Sequence, residues 1–484
     1  WITSRGLGDV YKRQAISTDF LDVERLEVIR GPQGTLFGQN STGGAINLIS
    51  KTPTTEGSEG KLSVTYGDYN LRKVIASNNI VVNDKIATRF SVSSTTRDGF
   101  TENVFTGQDL DDANNKSVRT DWMFDLNDTS SLRVFGQYFK VDRNGAAIRG
   151  IDDQSSGMRK LSQDTISQHD LSSMVIAAIY EADLGFASLK MIGSVQEDDI
   201  SVTRDNDRHN YLDPVLSIPG LGAGATYQRS EFRPETSLVD TTTFEVNLIS
   251  IEPIEGRLDW TVGAFYMDHE IENHIRGYRD NDGTGRLKYE CSESYADPTY
   301  CYEHDFGIPG RFDVFAPSAD WDFVTDSFPT RESYSIFGQT TLYVSDEFRI
   351  ISGLRYSEDK FTSDVTNFFN VQEYDLEGES DEVTSRVVAE VDFSDDIMAY
   401  FALAKGYKPG GSNLTFGFTE EEDIASGTPV APAMVFPTFE SETVDSIEVG
   451  LKSTFADGRA RANLAAFSYT YETVSYTHLT LPTS

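Results

Sequence analysis

The chain has 484 residues, and its 41 Lys and Arg stand against 77 Asp and Glu, a formal charge of −36. That balance excludes a nucleic-acid partner, whose phosphates demand a basic footprint, and it suits acidic loops in water or cationic and divalent species at the surface. A mean hydropathy of −0.38, without an apolar run of about 18 residues, excludes a transmembrane helix but not a membrane β-barrel, whose alternating strands dilute the signal.

The first patterned stretch is residues 22–51, DVERLEVIRGPQGTLFGQNSTGGAINLISK. Val23, Arg25, Glu27 and Ile29 alternate with Glu24, Leu26, Val28 and Arg30. The chain then turns at Gly31-Pro32, crosses a glycine-rich middle and closes on an apolar run from Ala45 to Ile49. Strand, turn, small loop and short strand is the simplest reading. Gly31, Gly34, Gly38, Gly43 and Gly44 permit backbone angles closed to other residues. No Gly-Lys-Ser/Thr follows, so this is not a phosphate loop. Taken by itself the stretch reads equally well as an ordinary glycine-rich turn region.

The run VERLEVIRGPQGTLFGQNSTGGAINLISKTP closely resembles the end of the plug domain of TonB-dependent outer-membrane receptors. Two later stretches, MAYFALAKGYKPGGSN (398–413) and ETVDSIEVGLKSTFADGRARANLAAFSYTYE (442–472), resemble the barrel of the same family, and SGLRYSEDK (352–360) does so more weakly. The resemblance implies a plug inside a large membrane barrel in the bacterial outer membrane. It also implies uptake of a scarce ligand driven through TonB and its inner-membrane energising complex. Residues 15–55 are then the C-terminal part of the plug and 56–473 the barrel. Residues 1–14 and 474–484 fit neither pattern and read as foreign to it, and no leader is visible although an outer-membrane protein needs one.

After a polar link, TPTTEGSEG (52–60), strand-like runs follow at about 60–68, 72–81, 84–97, 115–126, 130–143, 171–181, 185–204, 239–251, 257–275, 331–344, 347–366, 383–393, 396–408, 441–454 and 458–473. In 446–452, Ile447, Val449 and Leu451 oppose Ser446, Glu448, Gly450 and Lys452. Period two with one apolar face places oil on one side of each strand and a polar space on the other. A soluble β-sandwich shares that pattern, so the connections discriminate. Tight polar turns at 82–85, 127–130, 182–185, 252–256, 345–347, 394–396 and 455–459 alternate with long loops at 98–114, 144–170, 205–238, 276–330, 367–382 and 409–440, and only the loop at 67–70 is short. Short turns at one rim and long loops at the other are the layout of outer-membrane barrels, with the short turns facing the periplasm.

The expected fold is therefore all-β: an antiparallel transmembrane β-barrel preceded by the end of a plug. Fifteen strands is an odd number where bacterial single-chain barrels have even ones, and the family barrel has about twenty-two. The reading expects a fragment, because an open edge in lipid leaves backbone groups unpaired.

Cys291 and Cys301 lie in the longest loop, open to a disulfide in an oxidising compartment or to two free thiols. The aromatics around them, Tyr295, Tyr300, Tyr302, Phe306, Phe312 and Phe315, suit either ligand capture or packing of the loop on itself. HEIENH (269–274) spaces its histidines five apart, not four, and a strand sends His269 and His274 to opposite faces. DNDGTG (280–285) misses the calcium-loop positions at Thr284 and Cys291, and GLGAG (220–224) lacks the context of a dinucleotide site. No metal, cofactor or enzyme is expected. Glu24, Arg25, Glu27 and Arg30 are either plug charges meeting a polar lumen or ordinary solvated strand charges. The resemblance makes Arg30 the plug candidate and Glu448 the barrel candidate for a plug–barrel pair. It makes a ferric siderophore the expected cargo, with cobalamin, haem or glycan as alternatives. Rival readings are a passive porin and a secreted β-rich binding protein or hydrolase.

Overall fold

The structure is a computed structural model that describes residues 21–150, 153, 155, 157–205, 208, 231–279, 323–367, 372–412, 417–419, 422–423, 428–429, 433–435 and 438–473. The stretches at 1–14, 220–224, 280–285 and 474–484, and with them Cys291 and Cys301, lie outside the described residues.

The N-terminal segment forms strand β1 (Val23–Arg30), a short helical turn α1 (Gly34–Phe37) and strand β2 (Gly44–Ser50). β1 and β2 pair antiparallel as a separate two-stranded sheet, with Arg30 opposite Gly44 and Glu27 opposite Asn47. The small loop expected in the glycine-rich middle is thus one helical turn, closed by Phe37 N–H on Gln33 O at 3.0 Å and Gly38 N–H on Gly34 O at 3.1 Å. Gly44 has φ +134, and a Cβ there would stand 2.3 Å from Ile29 O, so the β1–β2 crossing requires glycine.

Fifteen further strands form one sheet in strict chain order. They are β3 (Glu59–Gly67), β4 (Leu71–Asn83), β5 (Ile86–Arg97), β6 (Ala113–Asn127), β7 (Ser130–Arg143), β8 (Gln168–Asp183), β9 (Ala187–Asp205), β10 (Glu231–Ser250), β11 (Leu258–Arg279), β12 (Phe323–Tyr343), β13 (Phe348–Asn367), β14 (Gln372–Ser394), β15 (Ile397–Lys408), β16 (Glu442–Phe455) and β17 (Ala460–Glu472). Every neighbouring pair is antiparallel. Among the described residues the edge strands β3 and β17 do not pair with each other, so the wall is open.

The faces follow the alternation in the sequence. Ile447, Val449 and Leu451 of β16 point outward and are exposed, whereas Ser446 and Gly450 are buried inward. On β14 the exposed face runs Val387, Val383, and then Asp381, Glu379, Glu377 and Asp375. The change from Val to Asp marks where oil gives way to water. At the same height β12 and β13 present exposed Tyr334 and Tyr356, an aromatic girdle, followed by Glu332 and Glu358.

This boundary explains where the sequence reading fell short. The stretch 367–382, expected to be a long loop, is mostly the outer part of β14, and β10 and β12 begin eight residues before the expected 239 and 331. Above the bilayer both faces of a strand meet water. The apolar alternation that marks a strand in the sequence disappears there, while the hydrogen-bonded ladder continues. β14 therefore reaches 23 residues, about twice what a tilted strand needs to cross the hydrocarbon.

Leu354, 61% exposed on β13 and roughly mid-way through the apolar band, tests the orientation of the wall. Leu354→Arg should destabilise the barrel by about 2–4 kcal/mol in lipid vesicles, as arginine does near a bilayer midplane. Denaturant unfolding in vesicles measures this, and an unchanged midpoint would show that the face does not meet lipid.

Candidate functional site

The site is the interface between the N-terminal segment and the inner face of the wall. It has two parts of different chemistry.

The first part joins the start of the segment to β3–β6. Arg89 on β5 and Asp22 are both nearly fully buried and form a two-pronged ion pair: the Arg89 Nε–H donates to Oδ2, and an NH2 hydrogen to Oδ1 at 3.0 Å. Ser91 Oγ donates to the same carboxylate at 2.9 Å, and Arg89 also reaches Glu59 at 3.1 Å. Nearby, Arg119 on β6 donates to Ser50 Oγ at 2.7 Å. Asp121 lies between Arg119 and Arg133, at 3.2 and 2.6 Å. Charge-assisted, bidentate and desolvated contacts of this kind are the strong ones, because removing either partner strands a buried charge.

The second part seats α1 against β12–β15 with hardly any ionic contact. Pairing of β15 with β14 ends at Ala404 opposite Arg386, although β15 stays paired with β16 as far as Lys408. The released backbone of β15 faces the segment, and Asn40 N–H donates to Tyr407 O at 3.0 Å. Close approach depends on small residues. A Cβ on Gly34 would stand 2.8 Å from Thr384 Cβ and 2.9 Å from Lys405 O, and one on Gly406 would stand 3.0 Å from Pro32 Cβ. Arg386 donates to Gln33 Oε1 at 2.8 Å. Gln39 Nε2 donates to Ser333 Oγ at 3.2 Å, Ser333 Oγ donates to Asp359, and Tyr407 OH donates to the other oxygen of Asp359 at 2.7 Å. Arg355 lies 4.9 Å from the Phe337 ring centroid, and a Cβ on Gly38 would meet its guanidinium at 2.9 Å.

Of the residues the sequence singled out, Gly31, Pro32 and Gly34 are buried at this seat, whereas Gly43 is exposed. Glu24, Arg25 and Glu27 pair among themselves: Arg25 reaches Glu27 at 2.7 Å and Glu24 at 3.0 Å, on an exposed face. Asn47 donates to Glu27 at 3.1 Å. Glu448 faces inward as its position requires, but its carboxylate accepts from Tyr400 OH on β15. Arg30 is exposed next to Gly31, and the structure does not bring Arg30 and Glu448 together. His269 contacts Thr241 Oγ1 at 2.9 Å, while His274, on the opposite face, lies between Asp326 at 2.6 Å and Glu272 at 2.9 Å. Among the described residues no group of three metal-ligating side chains comes together. Asp22, Arg89, Gln33, Gln39, Asp359 and Tyr407 were missed by sequence reasoning. Gln33 and Gln39 lay within the plug-like run, Asp22 directly before it, Asp359 within 352–360 and Tyr407 within 398–413, so those stretches carried a signal without singling the residues out, whereas Arg89 carried none.

At the long-loop rim two loops fold together. Thr101–Asn103 pairs antiparallel with Asp109–Leu110 and parallel with Lys160–Leu161, and Leu110 and Leu161 are fully buried. Asn103 Nδ2 donates to Gln163 O at 2.9 Å, and Gln163 N–H returns to Asn103 Oδ1 at 3.1 Å. The Phe100 ring lies between the Arg97 and Arg159 guanidiniums, at 4.8 and 4.6 Å. Burial alone would raise the Asp153 carboxyl in this loop. Hydrogen bonds from Ser155 and Ser162, with Arg149 nearby, outweigh burial and hold it below the usual carboxylate range.

Two measurements follow from these contacts. Gly34→Val should weaken seating of the segment by about 1–3 kcal/mol through overpacking against Thr384 and Lys405, seen as earlier protease cleavage within 31–43 at an unchanged barrel midpoint. Because folding lowers the Asp153 pKa, its stabilisation is full above the unfolded carboxylate value of about 3.9 and fades as pH falls through the lower folded value. Hydrogen-exchange protection factors in the loop at 148–163, in which rates are corrected for their intrinsic pH dependence, should therefore fall at acidic pH, and Asp153→Asn should remove that fall.

A sequence model described as TonB dependent receptor-like, beta-barrel, matches residues 50–484. The catecholate siderophore receptor Fiu of Escherichia coli K12 is 36% identical over 78 residues, 16% of this chain and 10% of its own length. The iron-regulated outer membrane virulence protein of Vibrio cholerae O1 is 27% identical over 165 residues, 32% of this chain and 24% of its own. Among solved structures, the ferric yersiniabactin uptake receptor FyuA of Yersinia pestis superposes with a TM-score of 0.70 at 16% identity, covering 93% of this chain and 60% of that one. The siderophore receptor PiuA of Acinetobacter baumannii gives 0.64 at 18%, covering 92% and 62%. The chain thus spans about 60% of the length of these two receptors, and at such identities the likeness is one of fold. With its wall matched along its whole length, the chain belongs to the TonB-dependent receptors, β-barrels of the bacterial outer membrane.

Proposed function

We propose that the protein of which this chain forms part takes up a ferric siderophore across the outer membrane, energised through TonB. The observation that carries this reading is the N-terminal segment seated against the inner face of a family barrel by polar contacts. A passive pore would have no use for such a seat. In this reading residues 15–55 are the end of a plug, and the long-loop rim faces the exterior.

The cargo class is supported by the relatives named above, a catecholate siderophore receptor and an iron-regulated outer-membrane protein. The mechanism follows from the interface. Ligand is captured at the loop rim and the outer side of the plug, and work delivered from the periplasm then loosens the plug. Hydrogen bonds and small-residue contacts can be exchanged for water at modest cost, so a polar seat can open and reform where an apolar core could not. Covalent chemistry on the ligand plays no part.

The test is uptake in a receptor-deficient strain carrying the full-length gene. Radioactive ferric enterobactin, a ferric catecholate, should accumulate when TonB is present. In a strain lacking TonB it should bind the cells but not accumulate. Uptake independent of TonB would establish a passive pore. Growth on haem or cobalamin instead of ferric catecholate would replace the cargo and leave the transport reading in place.

A further inference from the structure

The two parts of the interface are unequal, and the inequality has a direction. The geometry points to α1 as a latch: the turn Gly34–Phe37 leaves the wall before the Asp22 end of the segment does, and Tyr407 and Asp359 are the positioning residues that hold it closed. This rests on the reading of the segment as a plug, and it names which part of the plug moves first.

Three observations support the order. Asp22 is held by the bidentate guanidinium of Arg89 and by Ser91, with both members of the ion pair buried, and the same guanidinium is fixed further by Glu59. α1 is held instead by single hydrogen bonds between mostly neutral groups, at Gln33, Gln39 and Asn40. Charge-assisted contacts are about twice as strong as neutral ones, so the α1 end opens at lower cost.

The third observation is where the α1 contacts lead. The chain Gln39–Ser333–Asp359–Tyr407 ends in the side chain of a residue whose carbonyl also accepts from Asn40. Tyr407 is thus fastened twice, once to the wall network by its hydroxyl and once to the segment by its backbone. It is followed directly by Lys408, which pairs with Glu442 at 3.5 Å, and by Gly410, whose carbonyl accepts from Arg331 at 2.7 Å. A displacement of the stretch at 408–411 from the loop side reaches α1 through Tyr407, which the Asn40 hydrogen bond ties to the segment, and through the close packing of Lys405 and Gly406 on Gly34 and Pro32 just before it. No comparable route joins the loop rim to Asp22 among the described contacts, since Arg89, Ser91 and Glu59 lie on β5 and at the start of β3.

The experiment is hydrogen exchange by mass spectrometry on the full-length receptor in lipid nanodiscs, without ligand or TonB, comparing peptides that carry the Phe37, Gly38 and Asn40 amides with one that carries Lys51, whose N–H donates to Asp22 O. The wild type should exchange at Phe37–Asn40 at least about tenfold faster than at Lys51. Tyr407→Phe removes one hydroxyl and should accelerate Phe37–Asn40 by about tenfold or more, as loss of a bond to a carboxylate does, with Lys51 unchanged. Asp22→Asn should accelerate Lys51. Equal exchange along the segment, or equal acceleration of both regions by Tyr407→Phe, would overturn the latch by showing one cooperative unit.

A second variant gives a functional readout. A Cβ on Gly353 would stand 3.4 Å from Thr35 Cβ, close to the separation of about 3.5–4.5 Å in disulfides. The pair Thr35→Cys and Gly353→Cys should lower ferric enterobactin uptake at least about tenfold when oxidised and restore it when reduced. Full uptake in the oxidised form would overturn the latch. Exchange needs neither cargo nor energy source, so failure of the latch and failure of the uptake reading remain distinguishable.

Discussion

Hydrocarbon offers no hydrogen bonds, so every backbone N–H and C=O crossing the bilayer must find a partner inside the protein. The fifteen-strand meander meets this demand strand by strand, and the rest of the molecule is arranged around it. Because each wall strand spends its backbone on its neighbours, its side chains divide cleanly, with Leu354 and Val449 in oil and Thr384 and Ser446 in the lumen. Once the strands rise past Tyr334 and Tyr356 the constraint lapses. Acidic residues then occupy the face that valines held below, as Asp375, Glu377, Glu379 and Asp381 do on β14.

The lumen obeys a second rule. Its walls are polar, so what sits inside is held by hydrogen bonds and charge rather than by an apolar core. One place where the wall relaxes its own pairing is informative. β15 gives up β14 beyond Ala404, and the Tyr407 carbonyl is satisfied by Asn40 of the segment instead. Removing α1 therefore exposes a wall carbonyl to the lumen. In hydrocarbon that would cost several kcal/mol, but in a wet lumen water replaces the donor. The split strand is tolerable only because it occurs on the lumen side of a rim.

This division also sets what could be read from sequence. Period two located all fifteen strands, because one-sided oil leaves a mark on every strand that crosses it. It placed Glu448 on the inner face for the same reason. It could not see β14 above Val383, where both faces are wet, nor α1, whose four residues are shorter than two turns and show no periodicity. The partners were harder still. Arg89 lies 67 positions from Asp22, and nothing local distinguishes it from Arg97 or Arg119. Tyr400 meets Glu448 only because β15 and β16 are in register, Ala402 opposite Glu448, which places Tyr400 on the adjacent inward position.

The charges of the segment show why local pattern misleads about pairing. Glu24, Arg25 and Glu27 lie on a strand whose alternation is broken by a bulge between Val23 and Arg25. That shift puts all three within reach of one another on an exposed face, where they neutralise each other and leave the wall alone. Exposed pairs of this kind contribute little to stability. Asp22, one residue before the strand and outside the alternation, is the carboxylate that the wall takes hold of. What fastens the segment is thus a residue at its edge, while glycines and a few hydrogen bonds form its centre. A segment built that way can let go in the middle while staying tied at one end.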